Sequence, residues 1–232
     1  MRQRLDRFLA TQGPWSRKEA KRLVKEGRVR VGDRPARAPE EKLDPETTPV
    51  YVDGELVPYR RHLHLVLHKP TGVLSATKDR AEPTALDLLP EELKRRGLGL
   101  AGRLDKDAEG LLFLTTDGEL AHRLTHPRWK VEKVYEVWLD APVGEEEARA
   151  FAQGVLGFLP AELEPLPGAR ARVVLREGKH HQLKRMFRAV GREVKRLLRT
   201  RLGPLELGDL PPGEARALSP EEETALYRAV GL

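Results

Sequence analysis

The chain has 232 residues, 39% hydrophobic and 34% charged, and contains no cysteine. The length exceeds the usual single domain, so a moderate domain with a smaller companion is expected. The composition fits a folded globular protein rather than a disordered one. Without cysteine there are no disulfides, thiolate zinc sites or cysteine nucleophiles. No apolar run reaches the roughly 18 residues of a spanning helix, and the start MRQRLDRFLATQ is charged where a secretory leader is apolar. A cytoplasmic protein without a membrane partner is therefore expected. The net charge is +6; residues 1–45 hold 13 Lys/Arg against 7 Asp/Glu, so the remainder is balanced. A second basic stretch, 176–201, has ten Lys/Arg against two acids. Two basic patches point to a polyanionic partner, nucleic acid above all.

In chain order, Leu5, Phe8 and Leu9 sit at helical spacing within 2–12. Ser16 then precedes RKEAKRLVKEG with Glu19 three residues on, the pattern of a capping box. Leu23 and Val24 extend the apolar stripe until Gly27 stops the helix, and RVRVGDRPAR reads as a short strand and turn. Arg17, Lys18, Lys21, Arg22 and Lys25 crowd the polar side of the second helix, where they can follow a phosphate backbone. Residues 2–48 resemble the S4 RNA-binding module, so a domain is set at 1–48. The proline- and charge-rich stretch after it reads as a linker over 49–61, with a second domain at 62–232. There, strands are expected near 64–68, 110–115, 132–139 and 170–176, and helices near 84–96, 119–125, 144–153, 180–190 and 220–229.

Gly97-Leu98-Gly99-Leu100-Ala101-Gly102 formally matches a dinucleotide-binding fingerprint. The residues before it read as helical and those after it do not, the reverse of what that motif needs. Gly102-Arg103-Leu104-Asp105-Lys106-Asp107-Ala108-Glu109-Gly110-Leu111-Leu112-Phe113-Leu114 reads as a loop entering a buried strand, with glycines allowing tight backbone around Asp105. By chemistry alone Asp105, Asp107 and Glu109 are either solvated turn residues or a magnesium site. No second acid stands at a spacing that suggests a two-carboxylate glycosidase. His180 and His181 lack the acidic or thiolate companions of a metal site.

The GRLDKDAEGLLFLTTDG segment resembles the catalytic motif of the pseudouridine synthases. Lys69-Pro70-Thr71-Gly72 upstream, Lys133-Val134-Tyr135 between, and Glu177-Gly178-Lys179-His180-His181-Gln182-Leu183-Lys184-Arg185-Met186-Phe187 downstream extend the resemblance to the RsuA-type branch. It implies an α+β fold: a small S4-like (αL-type) domain plus a catalytic domain with a mixed, mainly antiparallel β-sheet flanked by helices. It further implies isomerisation of a uridine without a cofactor. Asp105 would be the catalytic carboxylate and Tyr135 would stack on the uracil. Lys184 would be the counter-ion of Asp105, with Arg185 the competing candidate, and Arg103 would fill the stack vacated by the flipped base. Lys69, Gln182 and Arg185 are expected at the RNA, and Leu183 as an apolar wall. The implied partner is ribosomal RNA, with 16S rRNA or a small-subunit assembly intermediate favoured and position 516 the expected target; 23S rRNA is the alternative within the family, and a non-catalytic assembly factor the alternative outside it. A monomer is expected.

Overall fold

The computed structural model describes residues 2–232, which form two compact units, 2–63 with 90–98, and 64–89 with 99–232.

The first unit begins with β1 (Gln3–Arg4), α1 (Leu5–Gln12) and α2 (Arg17–Lys25), followed by β2 (Val29–Val31), β3 (Arg34–Pro35), β4 (Lys42–Leu43), β5 (Val50–Val52) and β6 (Glu55–Val57). The capping box forms as its sequence dictates: the Ser16 hydroxyl accepts from Glu19 N–H, and the Glu19 carboxylate accepts from Ser16 N–H. The apolar faces of α1 and α2 close over β2 and β5 through Leu5, Phe8, Leu9, Ala20, Leu23, Val24, Val29, Val31, Val50 and Val52.

The segment expected to be a linker over 49–61 is instead a hairpin in a four-stranded sheet of order β3-β2-β5-β6. Val50, Val52 and Val57 are buried, so this hairpin completes the small core. Its turn, Asp53-Gly54, has positive φ at both residues, as a tight two-residue hairpin turn requires.

The second unit contains β7 (His64–Lys69), a 3-10 turn at Ala85–Leu88, β8 (Gly99–Ala101), β9 (Glu109–Thr115), α4 (Gly118–Thr125), β10 (Lys133–Leu139), α5 (Glu145–Gln153), β11 (Glu162–Leu166), β12 (Arg170–Leu175), α6 (Gln182–Ala189), β13 (Val194–Leu202), β14 (Leu205–Glu206), β15 (Ala215–Ala217) and α7 (Pro220–Ala229). Seven strands run in the order β11-β12-β10-β13-β9-β7-β15, with β14 beside β13 and β8 beside β9. Every pairing is antiparallel except β13 with β9. The mixed, mainly antiparallel sheet is thus as expected. The helix expected over 84–96 is broken: Thr84 caps only the 3-10 turn, Pro90 interrupts, and the short helix α3 (Glu91–Lys94) belongs to the first unit.

The apolar residues of β9 are buried on both faces because the strand is central. One cluster gathers Phe151, Phe158, Met186 and Phe187 with Val137 and Val173, and another gathers Val66, Leu111, Phe113, Leu120 and Leu226.

The parallel contact is short, pairing Leu198 with Glu109 and Arg199 with Gly110. It demands a glycine. Gly110 has φ +108, and a Cβ built there would lie 2.2 Å from the Arg199 carbonyl oxygen and 2.7 Å from its nitrogen. Gly110→Ala should therefore cost roughly 2–4 kcal/mol of stability through combined strain and overlap. Denaturant melts of the variant and wild-type proteins check this, and an unchanged midpoint would show that the strand contact yields without cost.

Candidate active site

The loop between β8 and β9 carries Asp105 at the mouth of a cleft of about 1070 Å³ in the second unit. That is ample for a nucleotide. Gly102 has φ +91, and the backbone turns there so that Arg103 is exposed at the cleft edge while Leu104 is buried.

Neighbouring backbone holds the loop in place. The Ser75 hydroxyl donates to Leu104 O at 2.7 Å and accepts from Leu104 N–H at 2.9 Å. Gly72 N–H donates to Lys106 O at 2.8 Å, and Ala108 N–H to Asp105 O at 3.0 Å. Lys69 belongs to this frame. Its side chain is 0% exposed, and its ammonium donates to Pro70 O at 2.7 Å and Lys106 O at 3.3 Å. The expectation that Lys69 contacts RNA is corrected on this ground, since burial has removed it from any surface; burial also pushes its amine down to about 8. The clasp by Ser75 escaped the sequence reading because a lone serine after a KPTG turn carries no spacing signal.

Asp105 is 28% exposed, with His181 Nε2 3.5 Å from Oδ1 and Lys184 Nζ 3.5 Å from Oδ2. The lysine is nearer Asp107, at 2.6 and 2.8 Å from its two oxygens. Those hydrogen bonds hold the Asp107 carboxyl below the usual carboxylate range. Lys184 is therefore a shared counter-ion rather than a partner of Asp105 alone. Arg185 points elsewhere, its guanidinium 4.9 Å from the centre of the Phe158 ring, and so is corrected as a rival for that role.

Gln182 lines the cleft but is buried with both ends engaged: its carbonyl accepts from Lys179 N–H, and its amide donates to Glu177. It braces the start of α6, and the expected RNA contact by its side chain is corrected accordingly. Glu109 turns to Arg196 at 2.7 Å, away from the two aspartates. Among the described residues, no three His, Cys, Asp or Glu side chains are grouped as metal ligands.

Tyr135 and Lys133 project from β10 into the cleft, and Leu183, Leu197 and Arg199 line it as well. Lys133 is raised here from a motif letter to a cleft residue, and Arg199 is new. An arginine within VKRLLRTRL looks like one more surface cation, and only the sheet pairing reveals its position. In the first unit, Arg17, Lys18, Lys21, Arg22 and Lys25 are all exposed on α2. Arg17 lies 3.6 Å from Asp6, and Arg22 lies 3.3 Å from Glu26.

Accessible carboxylates and a tyrosine in one mixed-sheet cleft, in a chain that also carries a basic helical module, are the equipment of an enzyme that modifies RNA. Residues 63–189 match the RNA pseudouridylate synthase family and residues 3–48 match the S4 domain. An uncharacterized RNA pseudouridine synthase of Aquifex aeolicus is 46% identical, covering 98% of this chain and 97% of its own. The ribosomal small subunit pseudouridine synthase A of Escherichia coli K12 is 40% identical over 94% of this chain and 97% of its own. That of Vibrio cholerae is also 40% identical, over 97% and 100%. A crystal structure of a pseudouridylate synthase superposes with a TM-score of 0.68 at 33% identity, covering 96% of this chain and 99% of the other. The chain belongs to the pseudouridine synthase family and is an RNA isomerase with an S4 domain. No helix among the described residues is long and apolar enough to cross a membrane.

Because Lys184 bridges Asp105 and Asp107, Lys184→Met should move the acid limb of the pH–rate profile upward. The sign follows from the cation: its hydrogen bonds hold the Asp107 carboxyl low, so without it that carboxyl takes up a proton at higher pH and activity is lost earlier as pH falls. Lys184→Arg should keep the wild-type limb. Single-turnover rates across pH measure the shift, and an unmoved limb in Lys184→Met removes Lys184 from the charge balance.

Proposed function

We propose that this chain converts one uridine of 16S rRNA, at position 516, to pseudouridine in the cytoplasm, acting as a monomer on the RNA or on a small-subunit assembly intermediate. The observation that carries the reading is Asp105, an accessible carboxylate on a braced loop in the same cleft as Tyr135. The target uracil leaves its stack at a cost of about a few kcal/mol. Arg103, exposed at the cleft edge, occupies the vacated place through its planar guanidinium. Tyr135 stacks on the base and assists removal of the C5 proton late in the reaction. Asp105 acts on the sugar or the base, or takes the C2′ proton, while Lys184 keeps the loop charge balanced. Support for the small-subunit substrate comes from the names of relatives that match nearly end to end.

Asp105→Asn should abolish pseudouridine formation and leave RNA affinity nearly unchanged, since size and hydrogen-bonding reach are retained. Mapping pseudouridines in rRNA of cells with and without the gene tests the substrate. Loss of a 23S position instead would move the assignment to the large subunit, and no lost position would leave a non-catalytic assembly factor.

The S4 module anchors the RNA through α2. Lys18, Lys21 and Lys25 are exposed there and have no carboxylate partner among the described residues. Replacing these three with Gln should reduce the slope of log affinity against log salt by about 0.7 for each phosphate that is no longer neutralised. A slope equal to wild type would place the RNA on another face.

A further inference from the structure

The floor of the cleft carries more positive charge than the fold can use. Arg199 is 2% exposed, and its Nε–H donates to Leu111 O at 2.8 Å. Its Nη2 is buried with no hydrogen-bond partner among the described residues. A buried guanidinium nitrogen left unpaired is costly and rare, and in a cleft wall it marks a place where a ligand supplies the acceptor.

Sheet geometry brings a second cation and an aromatic ring to the same place. Tyr135 lies directly across from Arg199 between β10 and β13, and Lys133 is two residues before Tyr135 on the same face. The register slips between Val134 and Tyr135, which pair with Arg201 and Arg199, leaving Thr200 as the extra residue on β13. Such a bulge re-aims side chains, and here Arg199 and Leu202 both line the cleft.

The Lys133 ammonium donates to Val131 O at 3.1 Å. Burial pushes its amine down to about 8, and the neighbouring Arg199 charge pushes the same way. Glu177 is the nearby acid, but its Oε1 accepts from Leu159 N–H and from Gln182, and its Oε2 pairs with Lys179 at 3.2 Å. The floor thus holds two cations, while the accessible carboxylates of Asp105 and Asp107 stand on the loop above.

We propose that Arg199 and Lys133 form a cationic seat for the carbonyl oxygens of the flipped uracil and stabilise the negative charge that the base acquires when its bond to the sugar breaks. The inference deepens the isomerase reading and rests on it. When N1–C1′ breaks, the electron pair stays with the base, and the charge spreads over N1 and the carbonyl oxygens O2 and O4. The sugar's deficit is met by the Asp105 carboxylate or by loss of the C2′ proton, which returns later. After the base turns, a C5 pair closes the bond to C1′. The C5 proton leaves to a base in the cleft or to water, and N1 takes one from water. No electrons are gained or lost overall, so a leaving group that must remain bound as an anion is the species most in need of stabilisation, and fixed donors aimed at developing charge supply it. A phosphate would fit less well, because Arg199 is almost wholly buried and is paired across the strands with Tyr135, whose ring suits a flat base.

The test uses the full chain and 5-nitrouracil, a uracil ionised near neutral pH, against uracil as the neutral control, with binding measured by equilibrium dialysis. The wild-type protein should prefer the anionic base. Lys133→Met and Arg199→Met should each lower that preference about tenfold, as expected for loss of a charge-assisted hydrogen bond, while Asp105→Asn should keep or increase it. On substrate RNA, Lys133→Met should slow the single-turnover rate by about 10² with little change in RNA affinity, and Lys133→Arg should recover much of it. If Arg199→Met does not fold, Lys133→Met decides alone. No anion preference in the wild type, a preference untouched by Lys133→Met, or equal displacement of 5-nitrouracil by inorganic phosphate would each overturn the seat. Anion preference without pseudouridine formation on any RNA would instead overturn the isomerase reading, so the two failures remain distinct.

Discussion

The close approach of β13 to Gly110 is the constraint on which the rest of the site depends. Strand β9 is central to the sheet, and the loop bearing Asp105 runs directly into it. A side chain at position 110 would meet the Arg199 backbone well inside contact distance. With glycine there, one backbone contact fixes the end of the carboxylate loop and the strand that carries the floor arginine. Asp105 and Arg199 are therefore set relative to one another by main chain, which is stiffer than any side-chain bridge.

Around that contact the loop is braced from a single direction. Ser75, Gly72 and Lys69 all hold the backbone of 104–106, and all three come from β7 and the turn after it. The Lys69 ammonium works here as a structural donor whose desolvation is tolerated because two carbonyls accept from it and the charges of Asp107, Glu109 and Asp105 lie nearby. Lys184 performs the complementary task from α6 on the solvent side, bridging two carboxylates that would otherwise repel.

What was legible in the sequence was local. The capping box at Ser16 and Glu19, the loop entering β9 and the helix over 182–189 each declare themselves within a dozen residues. The hairpin of 50–57 also carried a signal, Val-Tyr-Val followed by Asp-Gly, but proline and charge on either side masked it. Strand β13 could not be read because its residues alternate between arginine and leucine with no clean period, and its cations are used one at a time. Arg196 pairs with Glu109, Arg201 donates to Gly203 O, and Arg199 faces the cleft. The uses of Arg196 and Arg199 depend on partners some 60–90 positions away in sequence. Contacts distant in sequence likewise hid the burial of Lys69 and the preference of Lys184 for Asp107.

The chain passes between its two units three times, because Pro90–Leu98 leaves the second unit and returns to the first. Within the first unit Arg96 reaches the Gln12 amide oxygen at 3.5 Å, so this late segment is part of the small module's own fabric. Recombination at the obvious seam near residue 63 would carry away the helices and hairpin but leave nine of the module's residues, 90–98, behind in the donor. The first unit of this chain is consequently a stitched piece rather than a detachable bead.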